Sequence, residues 1–125
     1  HRCVAFDSSA SNLVEGDSND AIDIFVRDIK KGVTQRVSSD SAGGEGNNGS
    51  YYPSLSSNGR YVAFASEASN LVTGDNNESA DVFVRDLKKG ATQRVSVDSV
   101  GAEGNNYSFS PIISANGRYV AFDSL

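Results

Sequence analysis

The stretch Ser-Ser-Asn-Gly-Arg-Tyr-Val-Ala-Phe (residues 56–64) decides the fold, because it recurs almost unchanged at residues 114–122. Its last part, Val-Ala-Phe, occurs a third time at residues 4–6, so that successive copies are 58 residues apart. When residues 1–58 are aligned with residues 59–116 without gaps, 37 of the 58 positions are identical. Chance does not produce such self-similarity, and the chain is therefore a tandem repeat.

The repeat divides the 125-residue chain into three units. The first unit, residues 1–58, lacks its first strand. The second unit, residues 59–116, takes its first strand from residues 54–57. Residues 117–125 begin a third unit.

Each unit is predicted to contain four short β-strands in two hairpins. Asn58-Gly59 lies between residues 54–57 and 60–66 and predicts a type I′ hairpin turn, which needs positive φ at both central residues. A third strand at 81–87 is rich in β-branched and aromatic residues, and a Lys-Lys-Gly turn connects it to a fourth at 92–98.

The predicted strands differ in how deeply they should be buried. Residues 61–64 are apolar on both faces, whereas residues 92–97 alternate and are predicted to form the outer strand. A covered inner pair and a wetter outer strand are typical of a β-propeller blade, which packs against a neighbour on each face. The sequence thus predicts an all-β protein built from blades of four antiparallel strands. A solenoid is the competing repeat architecture, but two hairpins per unit fit it less well.

Composition excludes several functional classes. The net charge of −5 argues against a nucleic-acid partner, since phosphate affinity comes mostly from clustered Lys and Arg. No apolar run approaches the ~18 residues of a membrane-spanning helix. The single cysteine, Cys3, cannot form an intrachain disulfide, and a catalytic triad would have to use the terminal His1.

The motif Ser-x-Asn-Gly-Arg-Tyr-Val-Ala-Phe, followed by Asp-Val-Phe-Val-Arg-Asp-Leu and Lys-Gly, resembles the TolB-like β-propeller repeat. The nearest resemblance is to bacterial secreted or surface proteins, and it covers essentially the whole chain. It implies a closed ring, and a secreted, cell-surface or periplasmic location, and we expect the given sequence to contain no signal peptide. Such propellers serve as protein-binding scaffolds, as ligand-binding modules and as lids of serine peptidases, so the fold alone does not fix the function.

The resemblance also bears on partners, because two units cannot close a ring by themselves. We expect identical chains to assemble, with a homotrimer supplying six blades favoured over a homotetramer supplying eight. The alternative is that the sequence is a piece of a longer repeat protein. Residues 2–8 and 118–124 correspond to the same strand, so one of the two must be displaced or added outside the blade when the shared blade is completed. Cys3, in place of Tyr61 and Tyr119, makes the N-terminal copy the less typical one.

One loop of each unit could bind a metal ion. Oxygen ligands at relative positions 1, 3 and 7 suit a hard cation such as Ca²⁺. The candidate ligands are Asp17, Asn19 and Asp23 in the first unit and Asp75, Asn77 and Asp81 in the second. The loops lack the Gly and the bidentate Glu of an EF-hand. We favour the other interpretation, in which these residues cap turns through their own backbone contacts.

Two further groups of side chains admit a functional or a structural interpretation. The pairs Arg27-Asp28 and Arg85-Asp86 could contact a ligand, but we expect them to be ion-paired to neighbouring strands. Four aromatic residues in the predicted inter-unit loops could form a recognition surface or fill the space between blades, and we favour the second role. They are Tyr51, Tyr52, Tyr107 and Phe109.

We expect a non-enzymatic scaffold or binding module for a protein or carbohydrate, with no catalytic residue and no cofactor other than possible Ca²⁺. The alternative is a hydrolase-type propeller, similar to a glycosidase or a lactonase, with an acidic or metal-containing central channel.

Overall fold

The structure, a computed structural model, describes residues 2–15, 17, 20–73, 79–99 and 101–124. This part of the chain contains no helix that could cross a lipid bilayer. Its strands are β1 (Cys3–Ser8), β2 (Asp23–Asp28), β3 (Val33–Arg36), β4 (Ser50–Leu55), β5 (Tyr61–Ser66), β6 (Asp81–Asp86), β7 (Ala91–Arg94), β8 (Ser108–Ile113) and β9 (Val120–Ser124).

The strands form three antiparallel sheets, in the orders β1-β2-β3, β4-β5-β6-β7 and β8-β9. The middle sheet is a four-stranded blade of the predicted kind, so the prediction of an all-β, blade-type protein is confirmed. By the repeat, β1, β2 and β3 correspond to β5, β6 and β7, while β8 and β9 correspond to β4 and β5. The division into units 1–58, 59–116 and 117–125 stays a prediction.

Equivalent strands pair in the same register. Phe6 lies opposite Phe25 in the first sheet, as Phe64 lies opposite Phe83 in the second. The ring centroids are 5.8 Å apart in both pairs. The repeated sequence therefore builds the same cross-strand aromatic contact twice.

A neighbouring sheet on each side keeps the middle sheet dry. Val62 and Phe64 of β5 pack with Ile24 and Val26 of β2 in one apolar cluster, and β8 lies against the other side of β5. Residues 62–66 are all buried, which confirms the predicted two-sided covering of this strand. Val4, the equivalent of Val62, is 47% exposed in the first sheet, because no sheet lies on that face.

The segment 39–41 connects the first sheet to the outer part of the second. Arg85 donates from Nη1 to the Asp40 carbonyl at 2.8 Å. The Thr92 hydroxyl donates to the Ser39 carbonyl at 2.6 Å, and the Thr92 amide donates to the Ser41 hydroxyl at 3.1 Å. Burial lowers the pKa of Arg85 from its usual range. These bonds fix the lateral position of one sheet on the next.

The first strand of the second unit lies earlier than the sequence predicts. The expected strand is 54–57, whereas β4 runs over Ser50–Leu55. A bulge shifts the pairing with β5 between Tyr51 and Ser54, so the strand continues upstream past Pro53. The hydroxyl of Ser50 donates to that of Ser66 at 2.8 Å in the buried part of the sheet. Polar residues and a proline hid this strand from a prediction based on alternation.

The fourth strand is shorter than predicted, since β7 ends at Arg94 and not at residue 98. The amides of Val95 and Ser96 both donate to the Val82 carbonyl, at 2.8 and 3.4 Å, and the chain then leaves the ladder.

The Asn-Gly turn is not the predicted type I′ turn. Positive φ within it is confined to Gly59, at 74°. The Gly59 amide donates to the Ser56 carbonyl at 2.9 Å, and the Asn58 side-chain oxygen accepts the Arg60 amide at 3.1 Å. Asn58 acts through its side chain, and only the glycine takes the left-handed conformation.

The two equivalent turn glycines, Gly59 and Gly117, should differ in their tolerance of alanine. Both have positive φ, of 74° and 76°. A Cβ at Gly117 would overlap the Tyr61 ring, whereas a Cβ at Gly59 would meet nothing within 4 Å. We expect Gly59→Ala to cost about 1 kcal/mol in free energy of unfolding, from the backbone alone. Gly117→Ala should cost at least about 1 kcal/mol more, because the ring must move.

Urea denaturation of the two variants provides the measurement. Equal losses of stability would contradict the contact between Gly117 and Tyr61.

Candidate functional site

Three of the six predicted metal ligands lie in the described part of the chain, namely Asp17, Asp23 and Asp81. The other three, Asn19, Asp75 and Asn77, lie outside the described residues. The structure therefore bears on two of the three candidate ligands in the first unit and on one of the three in the second.

Asp23 and Asp81 begin β2 and β6 and are fully buried. The Ser38 hydroxyl donates to Asp23 Oδ1 at 2.7 Å, and the Ser96 hydroxyl donates to Asp81 Oδ1 at 2.9 Å. The Ser38 oxygen also accepts the Ile24 amide at 3.1 Å. The two carboxylates thus take part in the same repeated network, which ties the start of one strand to the end of its neighbour.

Asp17 lies near Asp23 in the first unit, and the guanidinium of Arg36 lies near Asp17. Burial raises the pKa of Asp17, the nearby charge of Asp23 raises it further, and Arg36 opposes the shift. Arg36 Nη1 is 3.8 Å from Asp17 Oδ1 and 3.1 Å from Glu45 Oε2. Among the described residues, no three His, Cys, Asp or Glu side chains are grouped as a metal site would require. Ca²⁺ binding stays a prediction, and Arg36 offers these carboxylates a counter-charge from the protein itself.

Calcium addition tests the two interpretations of this loop. Because Arg36 already supplies a counter-charge beside Asp17, we expect the melting temperature to be the same with millimolar Ca²⁺ and with a chelator. Asp17→Asn is the matched variant. A rise in melting temperature with Ca²⁺ that disappears in Asp17→Asn would contradict the turn-capping interpretation.

The aspartate of each Arg-Asp motif is ion-paired to an arginine beside the neighbouring strand, as expected. The arginine of each motif instead bonds to a neutral oxygen, Arg27 to the Thr34 hydroxyl and Arg85 to the Asp40 carbonyl. Arg60 donates to Asp86 from Nε at 3.0 Å and from Nη2 at 2.9 Å. Asp86 also accepts the Lys88 amide at 3.0 Å and so orders the turn after β6. Arg2 makes the same forked contact with Asp28 in the first sheet. Planar forked pairs of this kind fix geometry as well as charge.

Acid should weaken these two ion pairs and so lower the stability of the folded protein. The Arg60 guanidinium lowers the pKa of Asp86 from 3.8 to about 2, and Arg2 does the same for Asp28. A carboxylate with a lowered pKa stabilises the folded state above its unfolded pKa, and this contribution is lost as the pH falls from about 4 to about 2. We expect the melting temperature to fall over this range.

The fall should be smaller in Asp86→Asn, whose side chain does not titrate. Thermal melts at closely spaced pH values check this. An identical pH profile in the variant would show that other groups cause the acid sensitivity.

The aromatic residues occupy strands and not a loop. Tyr51 and Tyr52 belong to β4 and Phe109 to β8, while Tyr107 lies just before β8. Tyr52 and Tyr107 are 58% and 47% exposed, so neither fills the space between the sheets of a single chain. Tyr51 and Phe109 are half-buried. Of these four residues Tyr52 is the one that lies within a bulge, between Tyr51 and Ser54 of β4.

Tyr52 is held in an unusual conformation. Its φ is 58°, in the left-handed region that non-glycine residues rarely occupy. The equivalent Ser110 has φ of 54°. The Tyr52 amide donates across the sheet boundary to Asp7 Oδ2 at 3.3 Å. The prolines that follow both residues, Pro53 and Pro111, are the signal from which a bulge at this place could have been predicted.

The surface around Tyr52 contains a second aromatic ring and two carboxylates. The rings of Tyr51 and Tyr52 lie 6.2 Å apart at 49°. The Tyr51 hydroxyl donates to Glu67 Oε1 at 3.2 Å, and burial and the Glu67 charge raise the pKa of Tyr51. We call the group Asp7, Tyr51, Tyr52 and Glu67 the aromatic edge. It combines an exposed tyrosine ring with carboxylate acceptors, the means by which a protein binds hydroxyl-rich or amphipathic ligands.

Comparison with solved structures settles the fold. TolB from Acinetobacter baumannii matches 97% of this chain with a TM-score of 0.57 and 17% sequence identity. A putative TolB from Agrobacterium tumefaciens matches 99% with a TM-score of 0.58 and 18% identity. The chain has the TolB-like fold. It spans 23% of the first protein's chain and 35% of the second's. No protein-family model and no curated protein sequence matches it.

Proposed function

We propose that the chain is a non-enzymatic scaffold or binding module, part of a β-propeller assembled from identical chains, and that its aromatic edge binds a protein or carbohydrate ligand. One observation carries the proposal. Tyr52 keeps a left-handed φ of 58° while 58% of its surface stays exposed, so its position does not contribute a buried core contact. We locate the module in the periplasm or on the surface of a bacterium, as the TolB-like fold suggests.

The conformation of Tyr52 costs free energy. A left-handed φ costs of order 1–3 kcal/mol in a non-glycine residue and persists where the surroundings fix it. Here the bulge and the bond to Asp7 do so. Such strain is concentrated at binding sites, where it places a side chain that the regular strand would point elsewhere.

The composition of the aromatic edge favours a carbohydrate over a protein. A tyrosine ring stacks against the apolar face of a sugar, and the carboxylates of Asp7 and Glu67 accept bonds from its hydroxyl groups. A flat protein interface would instead need a larger apolar core than these few residues supply.

Replacement of Tyr52 by glycine separates binding from folding. Tyr52→Gly removes the ring and relieves the strained φ, so we expect the free energy of unfolding to stay within about 1 kcal/mol of wild type. Binding should fall at least about tenfold, because the exposed ring is the main contact. Ser110→Gly, which relieves the equivalent strain without removing a ring, is the matched control and should bind normally.

The probe is an array of purified oligosaccharides of neutral hexoses and N-acetylhexosamines, followed by calorimetric titration of the bound members. Tyr52→Gly binding as tightly as wild type would overturn the site. Absence of any binding to the array would overturn the carbohydrate class.

A further inference from the structure

The first sheet contains a groove where the second sheet contains a tyrosine. Cys3 of β1 stands in the place of Tyr61 of β5. The Tyr61 ring lies directly against Gly117 of the following turn, whereas nothing lies within 4 Å of the position that a Cβ of Gly59 would occupy. A groove of about 400 Å³ opens here, and its lining includes Arg2, Cys3, Asp28 and residues 57–59.

The third sheet carries the matching side chains, and they are exposed. Tyr119 and Phe122 are 62% and 37% exposed, while Phe64, the equivalent of Phe122, is fully buried. Arg118 lies over the Tyr119 ring at 5.1 Å, as Arg60 lies over Tyr61 at 5.0 Å. Within the described residues Arg118 has no carboxylate partner, and in the two-stranded sheet one edge of β9 is unpaired.

We propose that β9 of one copy takes the place of β1 beside β2 of a second copy. The inference rests on the assembly from identical chains proposed above and names the contact that produces it. The exchange gives the order β8-β9-β2-β3, the same four-stranded blade as β4-β5-β6-β7. Continuity with the interface between the first and second sheets is the argument, because the repeat supplies every contact of the new blade.

Each exposed group in β9 and in the two residues before it meets a defined position on the second copy. In the register of β5 on β6, Arg118 pairs with Asp28 as Arg60 pairs with Asp86. Tyr119 enters the groove beside Gly59, and Phe122 replaces Phe6 against the ring of Phe25.

The exchange gains packing at no loss of backbone pairing. The amides and carbonyls that β1 offers to β2 are replaced one for one by those of β9, so the ladder bonds are conserved. The gain is a tyrosine in place of a cysteine in the groove, the burial of two exposed rings and a partner for the open edge of β9, set against the release of β1 from the sheet. Strand exchange between identical chains reaches an assembly without new structural elements.

Charge reversal tests the exchange at its ion pair. Sedimentation velocity measures the mass of wild type, Arg118→Glu, Asp28→Arg and the double variant. We expect each single reversal to weaken assembly at least about tenfold and the double variant to restore it. Arg60→Glu is the control, because its partner Asp86 lies in the same chain. It should lower the melting temperature and leave the assembly contact in place.

A second variant avoids any folding defect from Asp28→Arg. Cys3→Tyr fills the groove within the chain, so it should raise the melting temperature and weaken assembly about tenfold by holding β1 in place. If Arg118→Glu or Cys3→Tyr assembles as tightly as wild type, the exchange is overturned, although assembly by another contact is not. A wild type that is monomeric at every concentration tested would overturn both the strand exchange and the assembly from identical chains. The oligosaccharide array tests ligand binding by the aromatic edge independently of this result.

Discussion

Phe64 and Phe83 stack at the centre of the middle sheet, and they stay dry because another sheet lies against them. A single blade of this protein has two apolar faces and no way to bury either by itself. Stability is therefore a property of neighbouring sheets, and it is lowest where a face has no neighbour. Val4, exposed in the first sheet, and its buried equivalent Val62 show the difference within one chain.

The same dependence extends to the polar parts of the molecule. Asp7 of the first sheet accepts the amide of Tyr52 in the second, so the bulge that exposes this ring relies on a side chain from the adjacent blade. The aromatic edge is thus formed by two sheets, although Tyr51 and Tyr52 belong to β4 and Glu67 directly follows β5. The side chains of a binding surface at a blade boundary are held in place by the packing of the two sheets beneath them.

The sequence was sufficient to predict the repeat, the strand order and the covered strand at 61–64, because identical side chains must fill identical positions. It did not reveal where β4 begins, since Pro53 and its polar neighbours mask a bulged strand. It also suggested positive φ at Asn58, where a side-chain acceptor supports the turn instead. The inter-sheet bonds at 39–41 could not have been predicted, because they join residues about 50 positions apart through backbone carbonyls.

The main-chain carbonyls of Ser39 and Asp40 that accept these inter-sheet bonds affect which substitutions the protein can tolerate. A hydrogen bond to a main-chain oxygen does not depend on the side chain of the residue that carries it, so the bond that Ser39 accepts can persist when its side chain changes. The two units differ at Ser39 and Val97 and at Gly44 and Ala102, while the serine whose hydroxyl takes part, Ser41, is kept. Substitutions can therefore accumulate on this rim without altering blade alignment, and new surface chemistry can arise there at little cost to the fold.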